Sequence, residues 1–307
     1  MRGVPFVDAH VHFWDLEQLR YPWLTPPFTD DGPNGSVEAI ARTYRPSDYR
    51  AEAAGWNLVG AVHVDAGADP ADALAETEWL DRQAARGGLP SAIIAFADLA
   101  DPRVEMALER QAHYSRVRGI RHIVNWDPNP QRSYTARDLT RDDRWARGFG
   151  LLARYGLSFD LQCYPAQLVH FAIIARRHPE VPVMINHLGM PLLAHADGLA
   201  TWRARLRTLA ALPQVSIKLS GLGFVRRDWD EQLAIPLIRE AIDLFGPSRA
   251  MAASDFPTDR LFSTWDRALS TLAEAVQPYT EEERRAIWGG NACRLYRIDP
   301  AILGEPA

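Results

Sequence analysis

The chain has 307 residues, of which 47% are hydrophobic, so it can bury one large core. Its 34 lysines and arginines and 39 aspartates and glutamates give a formal net charge of −5 without a run of basic residues, which argues against nucleic-acid binding. The sequence contains no stretch of about 18 apolar residues that would predict a membrane span, and the hydrophobic region of a signal peptide is not found before Asp8. We therefore expect a cytoplasmic protein that acts on a small molecule, either alone or as a homo-oligomer.

Eight short apolar segments alternate with longer segments of helical pattern, which is typical of a parallel sheet. The predicted strands span residues 4–10, 58–66, 91–99, 117–124, 157–164, 181–187, 215–221 and 249–255. The predicted helices span 70–86, 102–116, 142–155, 165–178, 199–212, 229–245, 262–276 and 280–294. Eight strands without a phosphate-binding glycine motif after the first favour a closed α/β fold, the (β/α)8 TIM barrel, with residues 1–307 as one domain.

One connection departs from this alternation. The segment 14–46 contains five prolines and five aromatic residues but few helical signals. Long irregular loops in compact domains are often lids, and the aromatic content argues against disorder because such rings would cost free energy if left in water. We expect residues 14–46 to form a lid-like loop that places Trp14, Tyr21 and Trp23 against a substrate. A loop that only stabilises the barrel is the alternative.

Polar side chains collect at the carboxyl ends of the predicted strands, where TIM barrels build their active sites. These residues are His10, His12, His63, Asp65, Asp98, Arg121, His122, Asp160, Gln162, His187, Lys218, Ser220 and Asp255. His10 and His12 are two residues apart and share one face of a strand, a spacing that suits a zinc ion. His187 and Asp255 end strands six and eight, so four potential ligands converge on one barrel mouth. Two structural histidines are the alternative for the first pair.

Several motifs with these residues are spread along nearly the whole chain. They are Val7–Asp15, Tyr21–Leu24, Gly119–His122, Asn186–Pro191, Ile217–Leu222, Ser254–Thr258 and Asn291–Ala292. As a set they resemble the lactonase branch of the amidohydrolase superfamily, the amidohydrolase-2-type hydrolases that include sugar-lactone, sulfomuconolactone and pyrone-dicarboxylate lactonases. The motifs are much more specific for this family than for one substrate.

The resemblance implies a metal-dependent type of hydrolase that opens a cyclic ester, with His10, His12, His187 and Asp255 at its centre and as its metal ligands. This branch includes metal-containing and metal-independent lactonases. The chain lacks the bridging lysine or glutamate that binuclear members carry at strand four and the histidine that they carry at strand five. We therefore expect zero or one divalent metal, zinc before others.

The predicted catalytic residues are Asp255, His187 and Lys218, with Asp255 activating the water that attacks the ester. Lys218 has two interpretations, an outlet at the barrel mouth or a buried ion pair with Asp160 or Asp255. Arg121 suits a substrate carboxylate or sulfonate, or pairs with Asp98 or Asp160. The predicted substrate contacts are Arg121, His122, Trp14, Tyr21, Trp23, His63 and Asp160.

The substrate expected for this site is a small anionic or polyhydroxylated lactone. The alternative activity is decarboxylation of a small aromatic or muconate-type acid by a metal-dependent enzyme, which would release carbon dioxide instead of opening a ring. A barrel that only binds a small acid as a sensor has little support, because no domain remains to transmit a signal.

Overall fold

The computed structural model describes residues 1–304. Eight parallel strands pair in chain order, each with the next. They are β1 (Phe6–Val11), β2 (Leu58–Val64), β3 (Ala92–Phe96), β4 (Val117–Arg121), β5 (Ser158–Leu161), β6 (Val183–Ile185), β7 (Val215–Leu219) and β8 (Ala250–Ala252). The (β/α)8 TIM barrel is confirmed.

Helices follow the strands and cover the outside of the barrel. They are α1 (Pro46–Glu52), α2 (Ala73–Gly87), α3 (Val104–Ala112), α4 (Asp143–Leu151), α5 (Leu168–Arg177), α6 (Gly198–Ala210), α7 (Leu222–Val225), α8 (Glu231–Phe245), α9 (Trp265–Ala275), α10 (Glu281–Arg285) and α11 (Asn291–Tyr296). The predicted helix 280–294 is confirmed as one continuous helical stretch, in which a π-helical turn at Ala286–Gly290 joins α10 to α11. Within residues 1–304, none of the helices combines the length and apolar character that a membrane crossing requires.

The barrel closes between β1 and β8 by hydrogen bonds at the carboxyl end of both strands. The Asp255 amide donates to the His10 carbonyl at 2.8 Å, and the His12 amide donates to the Phe256 carbonyl at 2.8 Å. Below this pair, the buried carboxylate of Asp8 accepts a hydrogen bond from the Ser254 amide at 2.9 Å. The closure therefore lies at the residues that the sequence predicts to be catalytic.

Two layers of apolar side chains form the core. The larger layer lies between the strands and the surrounding helices. The smaller one joins inward side chains of the barrel, such as Val64 and Met184, with Tyr296 of α11. The side chain of Asn291 donates to the carbonyls of Pro247 and Ala250, which places α11 at the amino end of β8. The last helix therefore closes the end of the barrel opposite the predicted site.

The 14–46 segment is fastened to the barrel at several points. Trp14 and Tyr44 form an antiparallel bridge with two backbone hydrogen bonds of 2.9 Å. The Tyr21 hydroxyl donates to the Glu76 carboxyl at 3.0 Å, and the Trp23 indole donates to the Ala66 carbonyl at 2.8 Å. These contacts hold the base of the loop, while residues 25–37 extend over the carboxyl end of the barrel.

Candidate active site

Four side chains converge where the barrel closes. His10 Nε2 lies 3.2 Å from His12 Nε2 and 3.4 Å from Asp255 Oδ1, and His12 Nε2 lies 3.2 Å from the same Asp255 oxygen. His187 Nδ1 lies 3.8 Å from Asp255 Oδ2 and 3.1 Å from Ser220 Oγ. All four side chains are almost fully buried. Residues from the first, sixth and eighth strand ends therefore form one compact cluster.

The backbone is strained where two of these residues leave their strands. His187 has φ = 54° and Asp255 has φ = 60°, values in the left-handed region that side-chain-bearing residues rarely adopt. Such conformations concentrate at functional sites, where surrounding contacts hold them. Gly221 lies against His187, and a Cβ atom there would come within 2.5 Å of the His187 Cβ. A glycine at 221 is therefore required for the position of His187.

Burial controls the protonation of the cluster. It lowers the pKa of His10 and His187 well below the usual value, and it lowers the pKa of His12 to about 3. These rings are neutral at pH 7, which is the form that binds a metal. Burial also raises the pKa of Asp255 well above the usual range of a carboxyl. A raised pKa makes this carboxylate a stronger base.

The residues fit a single divalent cation. Ligand atoms of His10, His187 and Asp255 all lie within 4.8 Å of one another. Asp255 Oδ2 is buried and has no hydrogen-bond partner among residues 1–304. His12 Nδ1 donates to the Val64 carbonyl at 2.6 Å, so its other nitrogen presents a lone pair toward the cluster. His12 lies beside the three-residue group and not within it. The described residues thus offer one set of nitrogen and oxygen ligands that suits zinc.

A cavity of about 430 Å³ lies above this cluster. His12, His187 and Asp255 contribute to its floor, and eleven of its 22 lining residues belong to the stretch 22–37 of the loop. The loop therefore covers the cavity. This volume is in the range that small-molecule sites have.

Arg121 lines the cavity, but its charge is already paired. Its Nε donates to Asp65 Oδ2 at 3.2 Å, its Nη2 donates to the Asp65 carbonyl, and its Nη1 donates to Gln162 Oε1 at 3.1 Å. Asp65 is thus its partner, where the sequence suggested Asp98 or Asp160. Burial raises the pKa of the neighbouring Glu76 to about 8, while the carboxylate in direct contact with Arg121 is that of Asp65.

The predicted aromatic contacts occupy different places. Trp23 lines the cavity, and its indole lies edge-on to the Trp14 ring with centroids 5.6 Å apart. Trp14 is fully buried behind it and donates to the Arg42 carbonyl at 2.6 Å. Tyr21 is also buried, with its hydroxyl on Glu76, outside the cavity lining. One of these three rings therefore lies at the cavity surface, and two support the loop.

Two predicted histidine contacts also lie outside the lining. His63 is fully buried beside Phe13, and its Nδ1 accepts from the Phe13 amide at 3.1 Å. His122 follows β4 on the side opposite Arg121, and its Nδ1 accepts from the Leu99 amide at 3.2 Å. Successive residues of a strand point to opposite faces, so Arg121 and His122 cannot both face the cavity.

Lys218 and Asp160 form a buried ion pair below the cavity. Both side chains have 0% exposure, and the Lys218 ammonium contacts an Asp160 carboxylate oxygen. Lys218 Nζ also lies 3.4 Å from His10 Nδ1. Of the two arrangements that the sequence left open for Lys218, the structure has the buried pair with Asp160. Neither side chain reaches the cavity surface.

Several cavity residues are absent from the sequence-based prediction. Tyr134, Asn34, Phe224 and Thr258 line the cavity, and the Tyr134 hydroxyl donates to Asn34 Oδ1 at 2.7 Å. Phe224 packs against His187 with ring centroids 5.1 Å apart. These residues lie in loops or short turns, where no periodic pattern indicates orientation. The one available signal was their position shortly after strands one, four, seven and eight.

Buried histidines and an aspartate at the mouth of a TIM barrel define a metal-assisted hydrolase type of site. The amidohydrolase family profile matches residues 7–298, and the chain belongs to this family. It is 38% identical to an uncharacterized protein, y4mH, from Sinorhizobium fredii, over 97% of this chain and 100% of that protein. It is 32% identical to an L-fucono-1,5-lactonase from Burkholderia multivorans, over 99% of this chain and 98% of the lactonase.

A solved structure of an amidohydrolase from Burkholderia multivorans with bound zinc is similar to the whole barrel. The TM-score is 0.79 at 30% sequence identity, with 95% of this chain and 99% of that chain covered. The expectation of a single-metal or metal-free amidohydrolase agrees with this likeness and with the ligand cluster.

Proposed function

We propose that this chain is a hydrolase that opens a neutral, polyhydroxylated lactone of the sugar-lactone type. The observation that carries the choice is the pairing of Arg121 with Asp65. Among the lining residues, all of them in the described part of the chain, Arg121 alone carries a fixed positive charge. Because this pairing occupies Arg121, no side-chain cation of the lining is free to bind a substrate carboxylate or sulfonate. A neutral lactone needs no such partner.

The remaining lining supports a polyhydroxylated ring. Hydroxyl and amide groups from several directions can exchange hydrogen bonds with sugar hydroxyls, while aromatic faces can cover the apolar side of the ring. The polar groups are Thr25, Thr29, Asn34, Tyr134, Gln162 and Thr258. The aromatic groups are Trp23, Phe28 and Phe224. The name of the Burkholderia multivorans lactonase agrees with a substrate of this kind.

Asp255 is assigned as the general base. Its Oδ2 is an unoccupied acceptor at the cavity floor, so it can take a proton from a water molecule that attacks the ester carbon. The same carboxyl then returns the proton to the ring oxygen when the carbon–oxygen bond breaks. His187 lies 3.8 Å away and orients this carboxyl, while Gln162 and the paired Arg121 face the substrate.

His10, His187 and Asp255 would hold the metal, and His12, whose Nε2 lies 3.2 Å from His10 Nε2, would join them from the side. A zinc ion bound there would act as a Lewis acid that polarises the carbonyl and lowers the pKa of water.

The location of the enzyme in the cytoplasm stays a prediction from the sequence. Its assembly into a homo-oligomer also stays a prediction.

The test is a comparison of substrates with purified, zinc-loaded protein. We expect neutral aldono-1,5-lactones to be opened at a kcat/KM at least about tenfold above that of carboxylated or sulfonated muconolactones, since one unfavourable buried charge is worth more than 1.4 kcal/mol. Acid release and carbon dioxide release are measured in parallel, with Asp255→Asn as the inactive reference. A preference for the charged lactones would overturn the neutral assignment, and carbon dioxide without ring opening would establish the decarboxylase instead.

A further inference from the structure

We infer that Tyr296, Asp160 and Lys218 form a hydrogen-bonded column along the barrel interior that positions His10 from below, and that Tyr296 is a positioning residue of the active site although it belongs to the last helix. This inference rests on the proposed hydrolase only for its kinetic readout. Its structural and metal-binding readouts are independent of the substrate.

The column is continuous from one end of the barrel to the other. The Tyr296 hydroxyl lies 3.2 Å from both carboxylate oxygens of Asp160. Asp160 contacts the Lys218 ammonium, which also lies 5.3 Å above the Tyr296 ring. Lys218 Nζ lies 3.4 Å from His10 Nδ1, and the opposite nitrogen of His10 lies 3.4 Å from Asp255 Oδ1. Each member thus contacts the next, from α11 to the cavity floor.

Packing alone does not account for these polar groups. Tyr296 lies in the inner apolar layer with valine and methionine side chains, where a phenylalanine would fill nearly the same volume. An ion pair with 0% exposure on both sides costs desolvation free energy that apolar replacements avoid. Neither Lys218 nor Asp160 reaches the substrate cavity. Lys218 contacts His10, so the ion pair and its tyrosine act on the site through this ring.

The consequence for His10 is a fixed ring orientation. A contact at Nδ1 holds the plane of the imidazole, and with it the direction in which Nε2 faces Asp255 and His12. The Lys218 ammonium has only N–H donors, so His10 Nδ1 is the acceptor of this contact. A change in the partner of one ring nitrogen of a metal-binding histidine typically alters metal affinity about 10- to 100-fold. Along the column Tyr296 is three contacts from His10 and Asp160 is two, so the effect of Tyr296 should be smaller than that of Asp160.

The experiment compares Tyr296→Phe and Asp160→Asn with wild type, because both changes keep the side-chain volume. Zinc affinity is measured by competition with a chelator, and the His10 ring nitrogens are observed by 15N NMR in metal-free protein. We expect zinc affinity to change about 3- to 10-fold for Tyr296→Phe and about 10- to 100-fold for Asp160→Asn. Both variants should shift the His10 resonances and lower kcat while KM for the lactone stays within about twofold.

Tyr279→Phe is the matched control. It removes a hydroxyl that donates to the carboxylate of Asp243 at 2.8 Å, far from the column, and should leave every readout unchanged. If Tyr296→Phe is not recovered folded, Asp160→Asn decides with the same measurements. Lower thermal stability with wild-type zinc affinity and unchanged His10 resonances would overturn the proposal. If wild type opens no lactone, the proposed function is wrong. The His10 resonances then still test whether the column positions His10.

Discussion

The floor and the roof of the cavity are built in different ways. The floor, defined as His10, His12, His187 and Asp255, consists of buried side chains at strand ends, each held by contacts with its neighbours. The roof, residues 22–37, is a loop of prolines, glycines and polar residues, and a side-chain hydrogen bond joins it to Tyr134 across the cavity. A rigid floor suits chemistry, whereas a loop can vary without disturbing it. We therefore expect floor changes to affect kcat and roof changes to affect KM.

The largest effect is expected at the floor from Asp255→Asn. The amide keeps the shape of the carboxylate but cannot take a proton from water, so kcat should fall by about 10²-fold or more. Zinc content is measured with the steady-state kinetics, because the same substitution removes a candidate ligand. Asp228→Asn, at an exposed carboxylate, is the control. A variant that retains zinc and loses less than about tenfold in kcat would show that the base lies elsewhere.

A smaller effect is expected from His63→Gln, behind the floor, and it depends on pH. Burial lowers the pKa of His63 well below its usual value in the folded protein. Below pH about 6.5 the unfolded chain takes up a proton that the folded ring does not, so the stability that neutral His63 contributes is present above this pH and lost as the pH falls. The free energy of unfolding of wild type, relative to that of the variant, should fall by about 1.4 kcal/mol between pH 7.5 and pH 5.5.

Urea unfolding of metal-free protein at three pH values measures this difference. The exposed His113, changed to glutamine, provides the comparison, and its curves should stay parallel to those of wild type. If the difference in unfolding free energy between wild type and His63→Gln does not change with pH, the His63 ring takes up its proton in the folded protein. Burial would then not lower the pKa of this ring.

The smallest effects are expected at the roof, from Tyr134→Phe and Asn34→Ala. Each substitution removes the hydrogen bond between the two loops, so KM should rise about two- to fivefold with kcat nearly unchanged, in line with a net hydrogen-bond contribution of about 0.5–1.5 kcal/mol. The double variant should be little worse than either single one, because the same bond is lost. If the fold increases in KM of the two single variants multiply in the double variant, the two side chains act separately on the substrate.

The floor could largely be predicted from the sequence. Strand alternation and helix signals located all eight strand ends, and His10, His12, His187 and Asp255 follow from their positions there. The predicted strands nevertheless extend two or three residues too far for β2 to β8. At β6 and β8 the ladder stops early because the backbone turns away at the site, as the positive φ values of His187 and Asp255 show.

Orientation was the part that the sequence could not supply. Barrel strands are buried on both faces, so the pattern at β4 does not tell whether Arg121 or His122 points inward. Likewise, aromatic content predicted that the 14–46 loop is packed, but not that Trp23 faces the cavity while Trp14 lies behind it. The partner of Arg121 is Asp65, which follows β2, two strands away from β4, and a buried charge gives no sequence signal for its partner.

The β1–β8 closure has a consequence for how the protein is made. His10 and Asp255 are joined by a backbone hydrogen bond across 245 positions of the chain. A chain on the ribosome that still lacks β8 carries His10 and His12 but neither the Asp255 carboxylate nor the hydrogen bonds that close the barrel beside them. The four-residue cluster therefore forms only after synthesis is nearly complete, and a product that ends before β8 lacks it.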